Sequence, residues 1–276
     1  MSEFISLEEV KNRLTDPNIV IVDCRFDLAQ KEAGHSAYHE GHLPGAIYFD
    51  LEKDLSSPIG QHGGRHPLPN VSTLAEKLGH SGIDESKTVI AYDDQNGSMA
   101  ARLWWLLKYY GHDRVFVTQE GFSSWVKKGY PVTTSVPDPE PRAFLPKVKE
   151  EWTVNVSGVR ELQNNELLMD ARAPERYRGD VEPLDPKAGH IPGAANSFWM
   201  ENLKEGKWLS KEALHTRFEP FQNHPITVYC GSGVTACALM LAMTEGGLTK
   251  VRLYPGSWSD WISYEENPVE TGDAKK

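Results

Sequence analysis

Cysteine is scarce in this chain. Cys24, Cys230 and Cys237 are the only three in 276 residues. That is too few for a disulfide framework, and no two of them are spaced as C-x-x-C, so no structural zinc site is expected. Long apolar runs are also missing. Nothing approaches the roughly 18 consecutive apolar residues of a membrane span. Met1 to Glu9 has no basic stretch followed by an apolar one, so no secretory signal is read there. The expectation is a reduced, cytoplasmic chain with no membrane partner. Positive charge is in short supply as well, with 29 Lys and Arg against 39 Asp and Glu and a net charge of -10. Nucleic-acid binders normally carry a basic face, so no nucleic acid is expected. An anionic substrate would have to be drawn by a local cluster of arginines or backbone N–H groups.

What is present is an internal repeat. GHLPGA begins at Gly41 and GHIPGA at Gly189, 148 residues later. Other matches follow in the same order. Ile19–Arg25 (IVIVDCR) pairs with Leu167–Arg172 (LLMDAR), and Thr88–Asp94 (TVIAYDD) with Ile226–Gly231 (ITVYCG). Near the ends, Glu120–Val132 pairs with Pro255–Val269. A period this long is the size of a domain and far above that of a solenoid. The halves are separated by a proline-rich stretch that includes Pro137, Pro139, Pro141 and Pro146. Proline at that density favours extended chain. The expected organisation is therefore a domain over residues 1–136, a linker over 137–150 and a second domain over 151–276.

Each half alternates short apolar runs with helical stretches. Val20–Val22, Val89–Tyr92 and Val115–Val117 read as strands, with a helix over Ala100–Tyr110. In the second half the strands are Leu167–Met169, Thr227–Tyr229 and Lys250–Leu253. The run ACALMLAMT lies in a helix expected over Val234–Thr244, buried all round and ended by Gly246–Gly247. Such alternation implies an α/β fold with a mostly parallel sheet flanked by helices. Ligands of such sheets sit beyond the carboxyl ends of the strands. The tryptophans Trp104, Trp105, Trp125, Trp258 and Trp261 read as core rather than as a stacking platform.

One loop stands at such a strand end. ITVY runs straight into CGSGVTA, Cys230 to Ala236, and then into the helix. Gly231 and Gly233 let the backbone turn sharply and aim N–H groups inward. The helix adds its positive end. Ser232 and Thr235 carry hydroxyl donors, and Val234 completes the turn. This setting suits a thiolate more than an inert thiol. The matching place in the first half holds Asp93, which has no thiol.

CGSGVTA, GHIPGA and PGSWSDW together resemble the hallmarks of the rhodanese-like sulfurtransferases, above all the mercaptopyruvate type with its CG(S/T)GVT loop. The resemblance covers nearly the whole chain and implies two tandem rhodanese-like domains, the second catalytic and the first supporting. It implies ping-pong transfer. Cys230 takes a sulfane sulfur from a small anionic donor as a persulfide, then passes it to cyanide, a thiol or a thioredoxin-like acceptor. No metal or organic cofactor is needed. Arg176, in RYRG, matches the arginine that binds the donor anion. Asp170 matches the aspartate that ties down the loop, with Arg172 supporting it. His66, in HPLP, aligns with a histidine near the substrate and Glu52 with an acidic position there. The histidines of the GHxPGA motifs, His42 and His190, are expected to fix turns.

Two positions depart from the mercaptopyruvate pattern. Asp185 stands where a second arginine is usual, and Ser98 where a tyrosine is. Thiosulfate-type loops usually carry two basic residues after the cysteine, whereas Gly231 and Ser232 are neutral. Mercaptopyruvate is therefore the favoured donor, with thiosulfate as the alternative. A cysteine phosphatase would need arginine at the sixth position after Cys230, which is Ala236. A non-catalytic binding module remains the reading of another class. With its domains paired internally, the chain is expected to be a monomer.

Overall fold

The computed structural model describes residues 2–162 and 165–273. Met1 and residues 274–276, at the ends of the expected domains, lie outside them. The chain divides into two compact units. One holds residues 1–57, 69–149 and 205–208, and the other 58–68, 150–204 and 209–276. This division differs from the expected boundaries in three ways, the first being that residues 205–208, from the second half of the sequence, belong to the first unit. Residues 58–68, from the first half of the sequence, belong to the second unit. The proline-rich strap packs along the first, where Arg142, Lys147 and Lys149 donate backbone N–H groups to Gly79, Tyr110 and Tyr109. Phe144 of the strap is buried as well.

The first unit is built on strands β1 (Phe4–Ile5), β2 (Ile19–Asp23), β3 (Ile47–Tyr48), β4 (Thr88–Tyr92) and β5 (Val115–Thr118). They lie in the order β1-β5-β4-β2-β3, with every pairing parallel. The second unit uses β6 (Leu167–Asp170) and β7 (Ala195–Asn196). After β8 (Leu203–Lys204), and β9 (Lys207–Trp208) of the first unit, it continues with β10 (Ile226–Tyr229) and β11 (Val251–Leu253). Its sheet runs β11-β10-β6-β7, again all parallel. A single bridge from Thr153 to Leu253 stands where the first unit has β1. β-branched and aliphatic runs of four or five residues form the central strands because both faces are covered by helices. Helix Thr235–Glu245 is buried along almost its whole length, and helix Ser98–Tyr109 buries Trp104 and Trp105 completely. The five tryptophans read as core are all buried.

The duplication is repeated contact for contact. Arg25 clasps Asp23 and donates to the carbonyl of Gly41 at 2.7 Å; Arg172 does the same to Asp170 and Gly189. Tyr92 and Tyr229 end the central strands, and their hydroxyls receive the N–H groups of Leu43 and Ile191. His42 and His190 do fix turns. Each bonds through Nδ1 to a carbonyl at 2.7 Å, of Tyr38 and Tyr177, and stacks on that tyrosine's ring.

The halves part at the strand-to-helix turn. After β4, the carboxylate of Asp93 accepts four backbone N–H bonds, from Gln95, Gly97, Met99 and Ala100, at 2.8 to 2.9 Å. Gly97, at the N-cap of helix Ser98–Tyr109, has no side chain to cap it, so Asp93 satisfies the orphan donors from a distance. The nest of N–H groups is intact, and an internal anion fills it.

Candidate active site

After β10 the same turn holds Cys230. Its sulfur accepts the N–H of Gly233 at 3.1 Å, and the residue is only 2% exposed. The loop is clamped by the segment that begins the closing motif. Trp258 N–H donates to the carbonyl of Cys230, and Ser259 N–H to that of Gly231, both at 2.9 Å. The N–H of Cys230 donates to the hydroxyl of Ser257 at 3.1 Å. Ser257 sits at φ 56°, a left-handed conformation rarely adopted by a residue with a side chain. Its buried hydroxyl, which donates on to Tyr254, holds it there.

Gly233 has φ 78°, and a Cβ at this position would lie 2.2 Å from the carbonyl oxygen of Pro255. Gly233→Ala must therefore move the loop or strain it. It should cost about 2–4 kcal/mol in chemical unfolding. It should also slow reaction of the Cys230 thiolate, read as its rate of alkylation, about a hundredfold, because the N–H now aimed at the sulfur moves with it. An alanine variant as stable and reactive as the parent would show that this turn is not needed.

The hydroxyl of Ser232, expected beside the sulfur, bonds instead to Nδ1 of His66 at 2.8 Å, both residues being buried. His66 is thus brought to the loop by residues 58–68. That segment is fastened further by Gly63 N–H to Asp260, Arg65 N–H to Ser259 and the ring of His62 on Tyr264. Gly64, at φ 79°, packs so tightly that a Cβ would lie 2.3 Å from the carbonyl of Gly256.

Asp170 and Arg172 form a buried pair behind the loop, at 0% and 2% exposure. Arg172 binds Asp170 through its own N–H, Nε and Nη2, the last at 2.6 Å, and its guanidinium lies over the ring of Trp258. Burial and the charge of Asp170 push the hydroxyl of Tyr229 well above its ordinary pKa, so it stays protonated near that carboxylate. Asp170 pairs in strand register with Tyr229, the residue before Cys230. Arg172 reaches Glu182, which Arg176 also holds with two bonds, at 2.6 and 3.1 Å. Burial opposes the charge of Glu182, but Arg176 and the N–H groups of Leu184 and Asp185 outweigh it, and the carboxyl lies below its ordinary pKa.

Arg176 also contacts Asp185 at 3.2 Å. The partner of Asp185 is a residue the sequence did not single out. Arg65 binds it through Nε and Nη2, at 2.9 and 3.2 Å. A side chain on Gly231 would meet Nη2 of Arg65 at 2.9 Å and Nη2 of Arg176 at 3.4 Å, so both guanidiniums border the turn after Cys230. The only local sign of Arg65 was its place between the Gly63–Gly64 pair and His66. Glu52 belongs to the first unit, where it pairs with Lys31. Ser98 donates to the carbonyl of Gln95 in that unit's helix turn. Among the described residues no group of three or more His, Cys, Asp or Glu is arranged for a metal ion, and no helix is long and apolar enough to cross a membrane.

The arrangement can hold a sulfur anion on Cys230 beside a hydroxyl–imidazole pair and two guanidiniums. The chain is also similar to known proteins over nearly its whole length. The Rhodanese-like domain family matches residues 6–128 and 156–264. The chain is 39% identical over 281 residues to a probable 3-mercaptopyruvate sulfurtransferase of Pseudomonas aeruginosa, covering 99% of each. It is 34% identical to a thiosulfate sulfurtransferase of Cricetulus griseus, over 96% of this chain and 91% of that one. Its structure is similar to the crystal structure of SseA from Escherichia coli, described as a 3-mercaptopyruvate sulfotransferase, with a TM-score of 0.81, 31% identity, and 94% of this chain and 100% of that one covered.

Proposed function

Since the chain belongs to the Rhodanese-like family and is a sulfurtransferase of the 3-mercaptopyruvate/thiosulfate type, we propose that it carries its sulfur as a persulfide on Cys230, with 3-mercaptopyruvate as the preferred donor. The Cys230 thiolate attacks the donor sulfur. An S–S bond forms and the C–S bond breaks, its electron pair leaving with carbon as the enolate of pyruvate, which then takes up a proton. The Ser232 hydroxyl, bonded to His66, is suited to deliver that proton. Cyanide or a thiol then attacks the outer sulfur, and Cys230 departs as thiolate. The N–H of Gly233 stabilises the charge on sulfur in both steps.

One observation carries the donor preference. The three arginines at the site, Arg65, Arg172 and Arg176, are met by three carboxylates, Asp170, Glu182 and Asp185. With Gly231 and Ser232 neutral as well, little positive charge is left over. That balance favours a monoanion recognised by directed N–H bonds over a dianion drawn by charge. Thiosulfate remains the second reading, and a relative of that name is 34% identical.

Steady-state transfer to cyanide, with the two donors measured side by side, tests the reading. The expected result is a higher kcat/KM for mercaptopyruvate, with donor-treated protein gaining the mass of one sulfur on Cys230 that cyanide removes. A higher value for thiosulfate would reverse the donor preference. Failure to transfer from either would sink the proposal and leave a binding role for the fold.

A further inference from the structure

We propose that Arg65 is a second donor-recognition residue, held beside Arg176 by Asp185 so that the two guanidiniums take the carboxylate of a small monoanionic donor. The idea rests on the sulfurtransferase reading for its reaction and on the geometry around Asp185 for its chemistry.

Three observations carry it. First, Arg65 is placed with care. Its backbone is pinned through Ser259, its neighbour His66 is buried on Ser232, and the glycine before it fits only without a side chain. A merely solvating arginine requires none of this. Second, the side chain of Asp185 is 1% exposed and receives both arginines, while those of Arg65 and Arg176 keep 26% and 18% of their surface. A buried carboxylate between two guanidiniums fixes where both point and leaves their outer edges open. Arg65 spends Nε and Nη2 on Asp185, and Arg176 spends Nε and Nη2 on Glu182 and Asp185. The Nη1 group of each remains for a ligand. Third, both border Gly231, one residue from the sulfur. A carboxylate bridging them would set the rest of a three-carbon donor over Cys230. Lysine could match the charge but not the paired, planar donors.

Alkylation of Cys230 tests this without any sulfur chemistry. Iodoacetate carries a carboxylate of similar size, and iodoacetamide is its neutral counterpart. The ratio of their rates at Cys230 is to be measured for the parent protein and for Arg65→Ala, Arg65→Gln and Arg65→Lys. Gln keeps the stem as far as about the position of Nε, and Lys keeps most of the length, should Ala disturb the fold. The expected outcome is that Ala and Gln lower the iodoacetate-to-iodoacetamide ratio about tenfold, with the iodoacetamide rate unchanged, and that Lys restores part of it. In turnover, Arg65→Gln should raise the KM for mercaptopyruvate and leave that for cyanide alone. An unchanged ratio would overturn the proposal. So would an equal fall in both rates, since a purely structural role predicts that. A parent protein that transfers no sulfur but keeps the charge-dependent ratio would instead defeat the sulfurtransferase reading and leave the anion site standing.

Discussion

Replacing Cys230 with serine will give a folded protein whose sulfur transfer, from mercaptopyruvate or thiosulfate, falls at least about a thousandfold. Serine is nearly isosteric, and its hydroxyl can still accept the Gly233 N–H, so the loop should keep its shape. An alcohol cannot carry sulfane sulfur, and neither remaining cysteine can stand in. Cys24 is fully buried, and burial together with Asp93, Asp23 and Asp54 pushes its thiol well above the ordinary value. It is held in the neutral, unreactive form. Cys237 lies inside helix Thr235–Glu245, completely buried, and its S–H donates to the carbonyl of Gly233 at 3.2 Å. The check is steady-state kinetics beside intact-mass measurement after donor treatment. Retention of a tenth of the parent activity by the serine variant would move the sulfur carrier elsewhere and undo the proposed mechanism.

Asp170→Ala should be the most damaging substitution for stability, at about 3–5 kcal/mol. The reason lies in what remains. Asp170 answers three donor groups of Arg172, and it is the nearest counter-charge to a guanidinium that is 2% exposed. Without it, Arg172 keeps its contact with Glu182 at 3.3 Å and the carbonyl of Gly189, but a buried cation has lost its closest anion. Urea unfolding followed by tryptophan fluorescence is a suitable measure, since Trp258 lies under Arg172. The double variant Asp170→Ala with Arg172→Met should recover a good part of the loss, because an apolar pair of similar volume leaves no orphaned charge. A cost below about 1 kcal/mol for Asp170→Ala would mean that the pair is not the support described.

The readable parts of this protein were the local ones. Cys230, its glycines and the helix behind them are contiguous, so a strand-turn-helix pattern exposes them directly. The α/β class and the duplication were legible for the same reason, since the two halves repeat their motifs in order. Asp93 could be read as the counterpart of Cys230, but its four N–H bonds could not, because an insertion before Gly97 hides the shared geometry. Arg65 escaped notice because its partner, Asp185, lies 120 residues away and was read as the loss of a charge rather than as a fastening point. Residues 58–68 look like a loop of the first half until their bonds to Ser232, Ser259 and Asp260 are seen. Polar contacts across such distances leave no periodicity to detect.

That segment also bears on how the chain becomes an enzyme at all. It is synthesised early and used late. His66 meets Ser232, 166 residues further on, and His62 meets Ser263, 201 residues further on. Such long closures add little to the final balance, roughly 0.6 kcal/mol for each doubling of the loop, but they impose an order of events. A nascent chain can lay down β1 to β5 while residues 58–68 have nothing to bind. Arg65 and His66 reach their places only after Asp185, Ser232 and Ser259 have emerged. The thiol, the hydroxyl–imidazole pair and the arginines therefore come together only once the second unit has been made, and a chain cut short before Ser259 would carry the sheet of β1 to β5 and no site.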